Sequence, residues 1–147
     1  MSDKAFVDTN ILVYAHDVSA GHKHERARAV VEGLWATRSG VLSTQVLQEL
    51  CVNLRRTASH PLDARSTRDI ITDYLTWDVR VNTGEAVLEA LAIAERFQIS
   101  FWDALILHAA DAADASVLYS EDLSDGQRYG EVRVVNPLRD ESGGRAS

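Results

Sequence analysis

The chain has 147 residues, 46% of them hydrophobic and 25% charged, with a formal net charge of −7. This is the size and balance of one globular domain with its own core, and it excludes a disordered chain. The charge excludes a general polyanion binder working through a broad basic face, but not an acidic pocket whose local sign a bound divalent ion inverts.

A single cysteine, Cys51, rules out an internal disulfide. It lies in an apolar helical pattern and reads as a small core residue, which fits a reducing compartment. Met1-Ser2-Asp3-Lys4 carries no targeting pattern, and no apolar run approaches the length of a membrane span. A cytoplasmic protein is expected.

In chain order, Ala5-Phe6-Val7 reads as a short buried strand, stopped by Asp8-Thr9-Asn10. The apolar run Ile11 to Ala15 then reads as a helix. Strand, polar tripeptide, helix is the layout of an α/β sheet, whose ligand sites lie at strand carboxyl ends. Taken alone, Asp8 is better read as a helix cap. His22 to Arg38 has Ala27, Val30, Val31, Leu34 and Trp35 at helical spacing, with His22 and His24 as surface residues rather than a metal pair.

Val41-Leu42-Ser43 is a second strand, and Ser43-Thr44 caps a helix running to Leu54. Glu49 lies beside the apolar face of that helix, where a carboxylate is costly unless paired, metal-bound or at the wet edge. Arg55 to Pro61 is a polar connection, with Pro61 suited to the first turn of the next helix. Asp63 to Thr76 carries helical spacing, Trp77 to Val81 alternates as a strand, and Thr83 opens a helix to Phe97.

Ser100-Phe101-Trp102-Asp103 is a capping-box variant ahead of the apolar run from Ala104. Asp103 is thereby explained as an acid at the favourable end of the helix dipole. Ser116 to Tyr119 is the next strand, and Ser120-Glu121-Asp122-Leu123-Ser124-Asp125 gathers carboxylates past its end. Gln127 to Glu131 reads as a loop, and Val132 to Val135 as a last strand. Alternating strands and helices predict a mostly parallel α/β sheet of four or five strands flanked by helices. Residues 1–138 are expected as one domain, and 139–147 as a flexible polar tail.

Four acids therefore fall at strand carboxyl ends or helix starts: Asp8, Glu49, Asp103 and Asp122. In a parallel sheet these positions lie along one edge. Converging carboxylates without cationic partners are resolved by divalent metal, and an all-oxygen set selects Mg²⁺ or Mn²⁺ over zinc. No Ser–His–Asp arrangement at motif spacing competes.

Phe6-Val7-Asp8-Thr9-Asn10, Gln48-Glu49-Leu50, Ser100-Phe101-Trp102-Asp103-Ala104 and Leu118-Tyr119-Ser120-Glu121-Asp122-Leu123 resemble the motifs of PIN-domain ribonucleases, especially VapC-type toxins of toxin–antitoxin pairs. The resemblance spans nearly the whole chain and implies a three-layer PIN-like fold. It makes Asp8, Glu49, Asp103 and Asp122 the metal-binding and catalytic acids, with Thr9, Asn10 and Ser120 as polar residues supporting them. Asp125 is an extra acid that can replace or assist Asp122. The resemblance further implies a Mg²⁺- or Mn²⁺-dependent endoribonuclease acting on single-stranded RNA, a homodimer, and a cognate VapB-like antitoxin that blocks the acidic pocket. Arg26, Arg28, Arg55 and Arg56, in the segments around the Glu49 helix, are candidates for gripping RNA. Two other readings remain: a PIN-like domain without activity, and a metal-binding regulatory module. The latter wants a lysine near a late strand end, where only Arg128 and Arg133 stand.

Overall fold

The computed structural model of the chain describes residues 3–57 and 60–139. Strand β1 (Ala5–Val7) is wholly buried, as an unbroken apolar run in a parallel sheet requires. Asp8 then caps α1 (Thr9–Ala15) by accepting from the Thr9 N–H. A 3₁₀ turn (Val18–Ala20) leads into α2 (His22–Thr37). Strand β2 (Gly40–Ser43) is buried along its length, and Ser43 caps α3 (Thr44–Val52), which continues into a π-helical turn (Asn53–Thr57). The chain proceeds through α4 (Ala64–Tyr74), β3 (Asp78–Arg80), α5 (Gly84–Phe97), α6 (Phe101–Ala112), β4 (Val117–Tyr119), β5 (Arg128–Tyr129) and β6 (Val132–Val135). Asp63, Thr83 and Ser100 cap α4, α5 and α6 with their side chains.

The strands form one sheet in the order β3-β2-β1-β4-β6-β5, parallel throughout except for the β5–β6 pair. From β1 the chain steps outward to β2 and β3, then returns past both to place β4 on the other side of β1. With crossovers of the usual right hand, α1 to α4 fall on one face, where α1 packs against α2 and α3, and α5 and α6 pack together on the other, giving three layers. The order reverses at β1 and β4, so a crevice opens between their carboxyl ends. Asp8 follows one of these strands and Ser120 the other.

Phe6, Val7, Ile11, Leu12, Leu42, Leu50 and Leu118 are fully buried in the main core, and Ala90, Ala104 and Leu105 form a smaller cluster between α5 and α6. Trp35, Tyr74 and Trp77 pack ring on ring beside the β2 start. Gly40 admits this packing: a Cβ there would lie 2.3 Å from Trp77 ring atoms.

Three sequence expectations shift. The Gln127–Glu131 stretch contains β5, so the sheet has six strands; a two-residue antiparallel strand is too short to show alternation. The helix after Pro61 begins at Ala64 because Asp63 supplies the cap, accepting from the Ser66 N–H. Cys51 is half-buried at the margin of the core. The expected tail lies outside the described residues beyond Arg139. Among the described residues, no helix is long and apolar enough to cross a membrane.

Candidate active site

Asp8 is the anchor of the crevice, only 5% exposed. Its Oδ1 accepts from the Thr9 N–H at 2.7 Å, and its Oδ2 accepts from the Ser120 hydroxyl at 2.8 Å. Ser120 Oγ also accepts from the Asp122 N–H at 3.1 Å, so one buried hydroxyl ties the first acid to the backbone of the last. Across the crevice, Thr9 Oγ1 donates to Glu49 Oε1 at 2.7 Å. Asn10 Oδ1 accepts from the Glu121 N–H at 3.3 Å and steadies the β4–β5 connection. Thr9, Asn10 and Ser120 thus each make a specific bond in this network.

Asp8, Glu49, Asp103 and Asp122 all line one cleft of about 640 Å³, with Thr9, Asn10, Val13, Tyr14, Gln45, Gln48, Val52, Asn53, Trp102 and Ile106 completing its wall. Among the described residues, no lysine, arginine or histidine lines it. Each acid arrives by a different local rule. Asp8 is carried by the end of β1, and Glu49 lies one turn past Gln45 on α3. Ser100 fixes Asp103 in the first turn of α6 by accepting from its N–H at 3.1 Å. Asp122 follows β4.

The electrostatics differ among the four. Burial pushes the Asp8 carboxyl up from 3.8 to about 6, opposed by the Ser120 and Thr9 hydrogen bonds and reinforced by the charges of Asp122 and Glu49. Asp103 is also raised, chiefly by burial, against the Ser100 bond and with the charge of Asp122. Like charges therefore couple Asp8 to Glu49 and Asp122, and Asp122 to Asp103. Among the described residues, no three His, Cys, Asp or Glu side chains stand ready to hold one metal ion between them. The oxygen-only donor set and the open cleft nevertheless suit a hard divalent cation that keeps several waters, as Mg²⁺ does. Asp8 is the residue with most to gain from such an ion, since its ionised form is desolvated and has only two hydrogen bonds to offset that.

Asp125 does not join the cleft. It accepts from the Asn136 N–H and from Arg139 Nη1, both at 2.9 Å, and these bonds hold its carboxyl below the usual range. It braces the chain after β6, and the fourth acid at the cleft is Asp122. Two of the basic candidates are also displaced. Arg26 donates to His22 Nε2, and Arg28 pairs with Glu32 beside a depression that Trp35 and Tyr74 line; neither lines the cleft. Nearness in sequence to the α3 segment does not survive the rotation of α2. Arg55 and Arg56 lie on the π-helical turn, in a shallow depression that shares Val52 with the cleft.

Several lining residues escaped the reading of the sequence. Gln45, Glu49 and Asn53 recur every four residues, a polar stripe on a largely apolar helix, and that spacing was the available signal. Gln45 Nε2 donates to the Trp102 carbonyl at 3.4 Å and so links α3 to α6. Lys23 approaches the rim, pairing with Glu121 Oε2 at 2.7 Å and donating to the Tyr14 hydroxyl at 3.4 Å; nothing in its helical pattern distinguished it from a solvated lysine.

Comparison with known structures finds the same fold in a toxin–antitoxin complex from Klebsiella pneumoniae, with TM-score 0.67 and 19% identity over 91% of this chain and 98% of that one. VapC20 from Mycobacterium tuberculosis, described as a sarcin-ricin loop cleaving toxin, matches with TM-score 0.63 and 22% identity over 81% and 90%. VapBC2 from Rickettsia felis, solved bound to a fragment of its promoter DNA, matches with TM-score 0.61 and 18% identity over 88% and 96%. Comparison with curated protein sequences finds no match. A family model described as the PIN domain matches residues 5–124, and the chain belongs to that family.

Proposed function

We propose that the protein is a metal-dependent endoribonuclease of the VapC toxin type, hydrolysing phosphodiester bonds of single-stranded RNA. The observation that carries this reading is the meeting of four carboxylates, from four separate segments, on one cleft that, among the described residues, no cationic side chain lines. Burial and neighbouring like charge raise the Asp8 and Asp103 carboxyls, a cost that a bound divalent cation would offset.

Asp8, Asp103, Asp122 and Glu49 are the residues that would hold Mg²⁺ or Mn²⁺. Bound there, a divalent ion supplies charge neutralisation at the phosphate and an acidified water. The chain's own groups do the rest. Thr9 and Ser120 fix both oxygens of Asp8, so its carboxylate is set before substrate arrives. Thr9 engages one oxygen of Glu49 and leaves the other to orient the attacking water and accept its proton. As the water oxygen bonds to phosphorus, one ribose–oxygen bond to phosphorus breaks, and the departing oxygen takes a proton from solvent. Arg55 and Arg56 flank the approach and would meet the RNA backbone beyond the cleft.

The same reading includes a cytoplasmic setting, a homodimer and a VapB-like antitoxin. Exposed Val87, Leu88 and Leu91 on α5 offer an apolar face for a protein partner, and two of the similar folds come from toxin–antitoxin proteins solved as complexes. The test is incubation of purified protein with total RNA. Discrete new ends should appear with Mn²⁺ or Mg²⁺ and vanish in excess chelator. Undiminished cleavage in chelator would overturn the metal requirement, and intact RNA under all metal conditions would favour the inactive PIN-like alternative.

A further inference from the structure

We propose that the Trp102 indole is a stacking platform for an unpaired nucleobase of the RNA strand held in the cleft. The inference rests on the ribonuclease reading and deepens it. Trp102 immediately precedes Asp103 on the first turn of α6 and lines the same cleft. Its side of the molecule is open: the residue is 63% exposed, whereas Trp35 and Trp77 pack with Tyr74 in the aromatic cluster. Among the described residues its one ring contact is a T-shaped one with Phe101, centroids 5.3 Å apart. The indole is thus spare for the core and presents an uncovered aromatic face at the cleft.

The position is also prepared. Gln45 holds the Trp102 carbonyl from α3, and the Ser100 cap fixes the turn that carries it. The backbone that carries the indole is therefore fixed before a base arrives.

Charge leaves room for such a platform. The chain carries a net charge of −7, and among the described residues none that lines the cleft is cationic. Attraction to phosphate, the usual source of nucleic-acid affinity, is then left to a bound divalent ion and to Arg55 and Arg56 beyond the cleft. Stacking supplies affinity without charge, and any base presents a face for it. A paired base is already stacked on both sides, so the site requires an unpaired strand.

The test is fluorescence anisotropy of intact protein with an end-labelled, single-stranded oligoadenylate, in Ca²⁺ to replace the catalytic metal. Loss of one stacked base is worth about 1–3 kcal/mol, so Trp102→Ala should bind roughly 5- to 150-fold more weakly. Trp102→Phe, which keeps an aromatic face, should recover most of that loss. The salt dependence should be the same in all three proteins, since no phosphate contact is removed. Sedimentation of the parent and Trp102→Ala should give equal masses. Undiminished binding by Trp102→Ala would overturn the platform while leaving the ribonuclease reading intact. A fall in mass in that variant would assign the indole to a contact between subunits. Equal parent affinity for duplex RNA would also overturn the proposal, and a parent that binds no RNA would overturn it together with the ribonuclease reading.

Discussion

Replacing Asp8 with Asn should stabilise the metal-free protein at neutral pH, although Asp8 makes two good hydrogen bonds. The Asp8 carboxyl is pushed up from 3.8 to about 6 in the folded chain. At about 1.4 kcal/mol per pKa unit, ionised Asp8 costs the fold roughly 3 kcal/mol. The sign follows from proton linkage. Between pH 3.8 and about 6 the unfolded chain has released this proton and the folded chain still holds it, so stability falls as pH rises through that window and is flat above it. Asn cannot ionise and escapes the cost. Its carbonyl can keep the Thr9 N–H, and its NH₂ can donate to Ser120 Oγ. Ser120 then loses the acceptor for its own proton, a penalty of about 1 kcal/mol. The balance is a gain of about 2 kcal/mol at pH 7, or about 4–8 °C in Tm for a chain of this length. Below pH 3.8 the advantage should vanish or reverse. Thermal melts of both proteins in chelator, at pH 7 and across the acid range, read the difference directly, and comparing parent with variant cancels the carboxylates that titrate alike in both. An Asp8→Asn protein less stable than the parent at pH 7, or a difference that does not change with pH, would refute the argument.

Further outcomes follow from the same geometry. Mn²⁺ at a hundred times its dissociation constant should stabilise the parent by about 2.7 kcal/mol, and Asp103→Asn much less; equal shifts in melting temperature would remove Asp103 from the metal site. Changing Arg55 and Arg56 together to Ala should weaken RNA binding and reduce its salt slope by roughly 1.4, about 0.7 for each phosphate contact to a single strand. An unchanged slope would mean both arginines are merely solvated. Gly40→Ala should lower the urea midpoint, because its Cβ would enter the Trp77 ring at 2.3 Å; overpacking of this kind costs about 1–3 kcal/mol.

The outline of the fold was legible because its signals are local. Ala5-Phe6-Val7 and Val41-Leu42-Ser43 are short apolar runs bounded by polar residues, and they became the buried strands β1 and β2. Capping residues were equally readable: Ser43, Thr83 and Ser100 each accept from the N–H three residues on. Strand β5 was not, since two residues paired in a hairpin leave no periodic trace. At the site, the acids could be placed on one sheet edge because the carboxyl ends of parallel strands share it. Asp125 shows the limit of that rule. It stands three residues from Asp122, yet bonds from the Asn136 N–H and Arg139 turn it to a bracing role. Arg28 shows another: helix rotation took it to the depression beside Trp35, and only coordinates reveal the azimuth of α2. Gln45 and Trp102 meet across 57 positions of sequence, a pairing that no local pattern encodes.

On the proposed function, water oriented in this carboxylate cleft, and not the 2′-hydroxyl of the RNA, attacks the phosphate. Among the described residues, the cleft lining holds no histidine or lysine to activate that hydroxyl. The chemistry of the new RNA ends distinguishes the two. Attack by water leaves a linear phosphate monoester on one fragment and a free hydroxyl on the other. With Mn²⁺ as the metal, mapped products should carry those ends, and the Asp8→Asn protein, folded by its melt, should yield none. Cyclic 2′,3′-phosphate ends, or the same products from Asp8→Asn, would contradict the account.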